Sequence, residues 1–154
     1  MVKDGFSNGA IIGDDNISID HWENPNKTTT IRPRIYFLTH LHADHIHGLN
    51  KFWDKKIFTS SLNCKLAPYF IKGIDENLLI PLELNKEITL PISPKWKILV
   101  TLIDANHIPG SVMILIKGYF GNILYTGDFR FNLDMLNVPT LKNIINRYEN
   151  CSIC

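Results

Sequence analysis

Three imidazoles and one carboxylate lie within six consecutive positions of the segment Thr39-His40-Leu41-His42-Ala43-Asp44-His45. Histidine and aspartate are side chains that hold Zn²⁺ in proteins, and residues at alternate positions entering a turn can point at one cation. Two further segments, Asp104-Ala105-Asn106-His107 and Thr126-Gly127-Asp128, each place a possible ligand at the end of a hydrophobic stretch. The pattern therefore favours a metal site over the alternative, a solvated histidine-rich loop.

The ligand candidates divide into two sets that share one carboxylate. A first zinc ion would take three imidazole nitrogens and a carboxylate, from His40, His42, His107 and Asp128. Asp128 would bridge to a second ion held by Asp44 and His45. Two such ions, about 3.5–4 Å apart, lower the pKa of a water between them toward about 7, which supplies a nucleophile at neutral pH. The predicted reaction class is hydrolysis, with Asp44 and Asp128 as the catalytic residues.

Several polar residues near these segments have more than one interpretation. Asp20, at the end of a short apolar stretch, is expected to orient a metal-bound histidine rather than to bind metal itself. Asn106 is either a residue that supports the site or an ordinary loop amide. Arg130 could contact a substrate phosphate through its planar fork or form a structural ion pair. His47 is interpreted as a surface or supporting residue, and His21 as a packed or solvated one.

The hydrophobic pattern predicts strands alternating with helices, which must position these residues. Strands are predicted at residues 10–12, 17–19, 31–39, 56–59, 96–103, 112–116 and 122–125, the last two as a hairpin, with shorter strand-like segments between 78 and 90. Helices are predicted from His45 to Trp53 with Asp44 as cap, from Ser60 or Ser61 to about Phe70, and from Thr140 to Tyr148. Every ligand candidate then follows a strand, where open α/β sheets place their sites.

Length and composition set the remaining limits. A chain of 154 residues that is 45% hydrophobic can form one domain, or part of one. The net charge of +1 gives no overall attraction to a polyanion, so any affinity for nucleic acid must come from a local cluster. Three cysteines and no long apolar run indicate a reducing, soluble compartment, and the Cys151/Cys154 pair is interpreted as incidental.

The chemical motifs together resemble the metallo-β-lactamase-fold nucleases of DNA cross-link repair, the β-CASP group that contains Apollo and Artemis. The segment THLHADH resembles the family's His-x-His-x-Asp-His motif, and DANHIPG and TGDFR resemble two further motifs of the group. Ile19-Asp20-His21-Trp22 resembles its early aspartate motif, and order and spacing agree from about residue 9 to about residue 145. The segment GYFGNILYTGDFR favours the Apollo branch over the Artemis branch.

This resemblance implies an α/β (α+β) fold, the N-terminal portion of a metallo-β-lactamase αββα sandwich. Residues 1–154 would be a partial domain, the N-terminal half, with no second domain: the β-CASP domain, the late histidine of the second zinc site and the telomere-partner segment would be missing. The implied ligands are the six residues given above for two Zn²⁺ ions. The implied activity is 5′-3′ DNA exonuclease action on DNA with a 5′ phosphate, in interstrand cross-link repair and telomere-end processing in the nucleus, with no membrane partner.

Two other readings stay open from the sequence. The chain could be another metallo-β-lactamase-fold hydrolase, such as an RNA endonuclease or a small-molecule hydrolase. It could also be an inactive metal-binding fragment, and on ligand counting we expect residues 1–154 alone to have little exonuclease activity.

Overall fold

Two β-sheets packed face to face, each covered on its outer side by a helix, form the core of the protein. A computed structural model describes residues 9–12, 17–22, 35–146 and 151–153. The order of layers is helix, sheet, sheet, helix, which confirms the predicted αββα sandwich. Within the described ranges, no helix has the length and apolar character needed to cross a bilayer.

The first sheet contains five strands in the order β1-β2-β3-β4-β5. β1 pairs with β2 in antiparallel fashion, and the remaining neighbours are parallel. Because β2 to β5 run in one direction, the loops that follow them gather at one edge of the sheet. The strands are β1 (Ala10–Ile12), β2 (Ile17–Ile19), β3 (Ile35–Phe37), β4 (Ile57–Ser60) and β5 (Leu79–Leu82).

The second sheet has the order β10-β9-β8-β7-β6 and is antiparallel except for the β10/β9 pair. Its centre is the predicted hairpin, in which Gly118 pairs with Gly121 at the tip. The strands are β6 (Ile88–Pro91), β7 (Lys97–Asp104), β8 (Val112–Gly118), β9 (Gly121–Tyr125) and β10 (Cys151–Ile153).

Apolar side chains from both sheets fill the space between them. Phe37 and Ile19 of the first sheet pack with Ile98, Val100 and Ile114 of the second, and all five are fully buried. This alternation of inward-facing residues along β7 and β8 is the pattern expected of strands in a sandwich. The central core therefore fixes the two sheets relative to each other and holds the loops at their ends in place.

A helix covers the outer face of each sheet. Helix α1 (Ser61–Phe70) has Ser60 as its N-cap, as predicted, and contains Pro68 near its end. Ala67 of α1 packs against the outer side of the first sheet. Helix α2 (Pro139–Asn146), with a preceding 3₁₀ turn at Leu133–Asn137, covers the second sheet through Leu141 and Met135.

The predicted helix from His45 to Trp53 is wrong, because residues 45–53 form successive turns. The predicted apolar positions Ile46, Leu49 and Trp53 do pack into the outer core of the first sheet. However, Leu49 and Trp53 donate their amides to the carbonyls three residues earlier, and Gly48 adopts φ +106° against the backbone of Trp22. A left-handed residue at that point ends any helix, so Asp44 does not cap one.

The other predicted elements differ from the structure mainly at their ends. The predicted strand 31–39 is observed as Ile35–Phe37, and residues 31–34 lie outside the described part of the chain. The predicted helix to Tyr148 is observed to Asn146, and Tyr148 is likewise outside it. Boundary differences of this size reflect fraying and caps rather than a different topology.

Candidate metal centre

Three loops at the same edge of the sandwich carry the predicted ligands. His40, His42 and His45 follow β3 of the first sheet, His107 follows β7, and Asp128 follows β9 of the second sheet. The loops touch directly, since the amide of Val112 donates to the Thr39 carbonyl at 3.0 Å and the amide of Arg130 donates to Ala105 at 2.9 Å. The strand ends therefore bring together residues up to 88 positions apart in the sequence.

Four of the predicted ligands converge on one point. His42 Nδ1 lies 3.0 Å from His40 Nε2 and 3.2 Å from His107 Nε2. Asp128 Oδ2 lies 3.8 Å from His40 Nε2 and 3.5 Å from His107 Nε2. Four ligand atoms at about 2.0–2.1 Å from a tetrahedral zinc ion are separated by about 3.3 Å, so these distances suit a shared cation.

Asp128 faces two groups of donors with its two oxygens. While Oδ2 points toward His40 and His107, Oδ1 lies 3.7 Å from His45 Nε2. Asp44 Oδ2 approaches the same His45 nitrogen at 3.8 Å, and its side chain is exposed. The six predicted ligands thus lie in one region, with four of them within reach of one shared cation and with carboxylate oxygens of Asp44 and Asp128 both near His45 Nε2.

The hydrogen bonding of His45 Nε2 indicates whether this nitrogen could bind a cation. His45 Nε2 is buried and has no hydrogen-bond partner among the described residues. An unpaired buried polar atom is costly in a folded protein, and a bound cation would satisfy it. The donors present therefore fit a metal ion in the first set, and His45 Nε2 is the open donor that a second ion would use.

Asp20 is fully buried beneath the cluster and hydrogen-bonds to the histidine loop. Its carboxylate accepts hydrogen bonds from the Thr39 amide at 2.8 Å, the Thr39 hydroxyl at 2.5 Å and His45 Nδ1 at 2.8 Å. Asp20, His40 and His45 also lie close enough together to form a metal-binding group. Because the oxygens of Asp20 are already occupied by these three donors, we assign it to orientation rather than coordination, as expected from the sequence.

Asp20 also selects which nitrogen of two histidines carries the proton. Since the Thr39 hydroxyl donates to Asp20, its oxygen is left to accept a hydrogen from His40 Nδ1, 2.9 Å away. His45 donates its Nδ1 hydrogen directly to Asp20. In both rings the lone pair is consequently on Nε2, which is the atom that faces the cluster.

The pKa values of the buried groups follow from this arrangement. Burial, followed by repulsion from His45 and His42, lowers the pKa of His40 to about 4, so His40 is neutral at pH 7 as a ligand must be. Burial acts to lower the pKa of His45, but the hydrogen bond and charge of Asp20, together with the charges of Asp44 and Asp128, outweigh burial and raise it. Burial raises the pKa of Asp20 itself, against the hydrogen bonds from His45 and Thr39.

Two residues that the sequence analysis did not single out hold the ligand loops in position. Asn63 of α1 is fully buried and donates its amide to the Thr39 carbonyl at 3.1 Å. Ser111 Oγ accepts the amides of His107 and Ile108 at 3.1 and 3.2 Å. Hydrogen-bonding side chains at the start of a helix or in a turn are common, so nothing in the sequence distinguished these two.

The loop bearing Asp128 is fitted closely against the histidine loop. Gly127 has φ +51°, and a Cβ atom there would lie 3.3 Å from the Thr39 side chain. Asn106, with φ +52°, donates its side-chain amide to the Arg130 carbonyl at 3.1 Å and so joins the second and third loops. Arg130 is exposed and makes no ion pair with any described residue.

The two remaining histidines lie outside the cluster. His47 is exposed, in agreement with its interpretation as a surface residue. His21 is half-buried, and its carbonyl accepts the hydroxyl of Ser18 at 2.7 Å. Neither residue contributes an atom to the two ligand sets.

Comparison with known proteins agrees with this geometry. Residues 31–147 match the metallo-beta-lactamase superfamily. A match over that much of the chain, together with the αββα layers and the His/Asp cluster at the strand ends, shows that the chain belongs to the metallo-beta-lactamase superfamily.

Within the superfamily, the similarity is to the Apollo and Artemis group. The chain is 41% identical over 142 residues to 5′ exonuclease Apollo of Danio rerio, covering 90% of the chain and 24% of the relative. It is 39% identical to the Mus musculus Apollo over 87% of the chain and 24% of the relative. It is 36% identical to the Danio rerio protein artemis over 74% of the chain and 20% of the relative. The predicted resemblance is confirmed, and the chain spans about a quarter of the length of these relatives.

Proposed function

We propose that this protein is a zinc-dependent phosphodiesterase that degrades DNA from a 5′-phosphorylated end in the 5′-3′ direction. The observation that carries the proposal is the pair of ligand sets joined by Asp128. The similarity to proteins named 5′ exonuclease Apollo supports DNA as the substrate. By the same similarity, we propose that it acts in the nucleus, in interstrand cross-link repair and telomere-end processing.

The metal-binding roles are assigned from the donor atoms present. His40 Nε2, His42 Nδ1, His107 Nε2 and Asp128 Oδ2 would hold the first ion, and His45 Nε2, Asp44 and Asp128 Oδ1 would contribute to the second. A donor set of three imidazoles and one carboxylate is typical of zinc, which favours this metal over magnesium or calcium. When bound, zinc supplies Lewis acidity at a phosphoryl oxygen and lowers the pKa of water toward about 7.

The exposed groups around the cluster define where a substrate can approach. Asp44 and Asp128 have side chains that are 59% and 47% exposed, whereas the His40 and His45 side chains are buried, so substrate must arrive from the carboxylate side. Asp44 would orient a water and take its proton as the water oxygen attacks phosphorus, and the leaving oxygen would take a proton from solvent as its bond to phosphorus breaks. The Arg130 guanidinium, which makes no ion pair within the described ranges, would bind a phosphate of the same strand.

The test is cleavage by the Asp44→Asn variant of a version extended to the length of the relatives, because residues 1–154 alone are expected to have little activity. We expect a loss of at least about 100-fold in cleavage of 5′-phosphorylated single-stranded DNA, because the amide cannot accept the proton of the attacking water. The fold, by circular dichroism, and at least one bound zinc, by elemental analysis, should be retained. Asp54→Asn is the matched control, since Asp54 is an exposed carboxylate whose partner is Lys55, away from the cluster.

RNA and a β-lactam serve as competing substrates in the same assay. Faster turnover of either by the parent protein would contradict the DNA assignment. Cleavage of DNA by Asp44→Asn within a fewfold of the parent would show that another group carries the role assigned to Asp44.

A further inference from the structure

An exposed aromatic pair lies at the end of the second sheet that is remote from the metal cluster. Trp96 is 50% exposed and Tyr119 is 42% exposed, and their ring centroids are 4.8 Å apart at an interplanar angle of 35°. Trp96 directly precedes β7, whereas the ligand loop with His107 follows the other end of that strand. A strand of this length spans more than about 20 Å, so the pair is separate from the metal centre.

The backbone holds this pair in a fixed position. The Trp96 carbonyl accepts the amides of Ile92 and Ser93 at 3.0 and 3.2 Å, and Ser93 Oγ accepts the amides of Lys95 and Trp96. Tyr119 lies at the tip of the β8–β9 hairpin. Two aromatic faces on rigid turns lose little conformational entropy when a flat ligand stacks on them.

Two lysines flank Trp96 along the chain. Lys95 precedes it and Lys97 follows it, and both are exposed and make no ion pair with any residue that the structure describes. Lys117 on β8 is paired with Glu87 at 2.6 Å. The sequence has no Asp or Glu in 88–103 or in 112–125, so Lys95 and Lys97 give this part of the chain a local excess of positive charge, whereas the net charge of the whole chain is only +1.

We infer that the surface around the Trp96–Tyr119 pair, with Lys95 and Lys97 beside Trp96 in the chain, binds single-stranded nucleic acid. Unpaired bases present flat rings that stack on exposed aromatics, and their phosphates attract nearby lysines, which is how strand-binding surfaces without sequence preference work. A duplex keeps its bases stacked on each other and offers this surface only its phosphates. The surface goes beyond the proposed nuclease site because it contacts the strand far from the metal cluster and needs no metal.

Binding at this surface can be followed by the fluorescence of Trp96. The other two tryptophans, Trp22 and Trp53, are 8% and 5% exposed, so quenching of emission by an added strand reports on Trp96. The probe is a 20-residue oligothymidine with a 5′ hydroxyl, added with chelator present to prevent cleavage. We expect saturable quenching by the parent protein, with binding confirmed by polarisation of a labelled copy. Since binding is read without metal, a failed nuclease assay leaves this test intact.

Substitution of the ring separates stacking from charge. Trp96→Ala should weaken binding of the oligothymidine by about tenfold, which is the order expected for loss of one stacked base, whereas Trp96→Phe should retain most of the affinity. Because Trp96 is half exposed, both variants should fold, which an unchanged Tm would verify. Equal affinity of Trp96→Ala and the parent would overturn the inference.

Substitution of the lysines tests the charge. The double variant Lys95→Glu with Lys97→Glu should bind more weakly and should lower the slope of log K against log salt by about 1.4, the value for two phosphate contacts on a single strand. Lys65→Glu with Lys72→Glu is the matched control, because both lysines are exposed without an ion pair to any described residue but lie on α1 or just after it. The inference would be contradicted by an equal loss of affinity in the control pair or by equal binding of a blunt duplex. It would also be contradicted if the protein bound an acidic peptide but not the oligothymidine.

Discussion

The metal-facing nitrogen of each buried histidine is selected by a hydrogen bond on the opposite side of its ring. Asp20 accepts directly from His45, and it acts on His40 through the Thr39 hydroxyl. One buried carboxylate thereby sets the tautomers of two ligands. The orienting role proposed for Asp20 was predictable from its place at a strand end. The hydrogen bond from His40 to the Thr39 hydroxyl, which links His40 to Asp20, is visible only in the three-dimensional structure.

Replacing His42 by Ala should lower the zinc content of the purified protein. His42 Nδ1 is the central donor of the first set, within 3.2 Å of both other imidazole nitrogens, so its loss leaves an incomplete coordination shell. Elemental analysis gives the stoichiometry. His47→Ala removes an exposed imidazole close by in the sequence and serves as the control. Unchanged zinc content in His42→Ala would exclude it as a ligand.

Replacing Asp20 by Asn should lower the free energy of unfolding by about 2–4 kcal/mol, because three buried donors lose a charged acceptor. The metal-free protein should be used, so that the loss reflects the hydrogen bonds alone. Urea titration measures the effect. Asp54→Asn, at an exposed ion pair with Lys55, should change stability by less than about 0.5 kcal/mol. Similar losses in the two variants would argue against the supporting role of Asp20.

The ligand loops are short and are held by contacts between neighbouring elements. Helix α1 reaches the histidine loop through Asn63, and a Cβ atom at position 127 in the loop after β9 would lie only 3.3 Å from the Thr39 side chain. Loop positions in this fold are therefore set by close approach of backbones as well as by the strands. Such contacts determine how accurately the ligand atoms meet.

Gly127→Ala should weaken zinc binding as well as destabilise the fold. A left-handed alanine costs about 1–2 kcal/mol, and its Cβ atom would also push Asp128 away from the histidine loop. We expect zinc affinity, measured by competition with a chelating dye, to fall by about tenfold. Gly121→Ala has the same backbone penalty at φ +97° but meets nothing within 4 Å. Gly121→Ala should lose stability only, and equal zinc affinity in both variants would contradict the proposed fit.

Strands were more predictable than turns in this chain. β4, β7, β8 and β9 and the N-cap of α1 follow from apolar runs and capping residues that act locally. Residues 45–53 have helical spacing of apolar side chains, yet the contact of Gly48 with Trp22 imposes turns. Trp22 is distant in sequence, so no local pattern could reveal that contact. The candidate ligands were predictable because the strands that precede them end at the same edge of the sandwich. The hydrogen bonds of Asn63 and Ser111 to the ligand loops were not predictable from the sequence.

In the molecule as a whole, the metal cluster lies across the seam between the two sheets. His40 and His42 follow a strand of the first sheet, and His107 and Asp128 follow strands of the second. A cation held by all four joins two layers that otherwise meet through the apolar core. Binding should therefore stabilise the packing of the two sheets as well as the loops.

Removal of zinc should lower the Tm of the protein by about 5–10 °C. Zinc at 100 times its Kd stabilises the folded state by about 2.7 kcal/mol, and 1 kcal/mol corresponds to about 2–4 °C for a domain of this size. Calorimetry with and without chelator measures the difference. In the His42→Ala protein the chelator should have little effect. An identical fall in both proteins would show that the chelator acts elsewhere.

The order of the ligands along the chain also has a consequence in time. Asp128, the carboxylate that both ligand sets share, follows His45 by about 80 residues. At a synthesis rate of about 5–20 residues per second, a nascent chain displays the first three imidazoles for about 4–16 s before their common carboxylate exists. A cation that needs Asp128 as a ligand could therefore bind only late in the synthesis of the chain, and any earlier capture by His40, His42 and His45 would occur without Asp128.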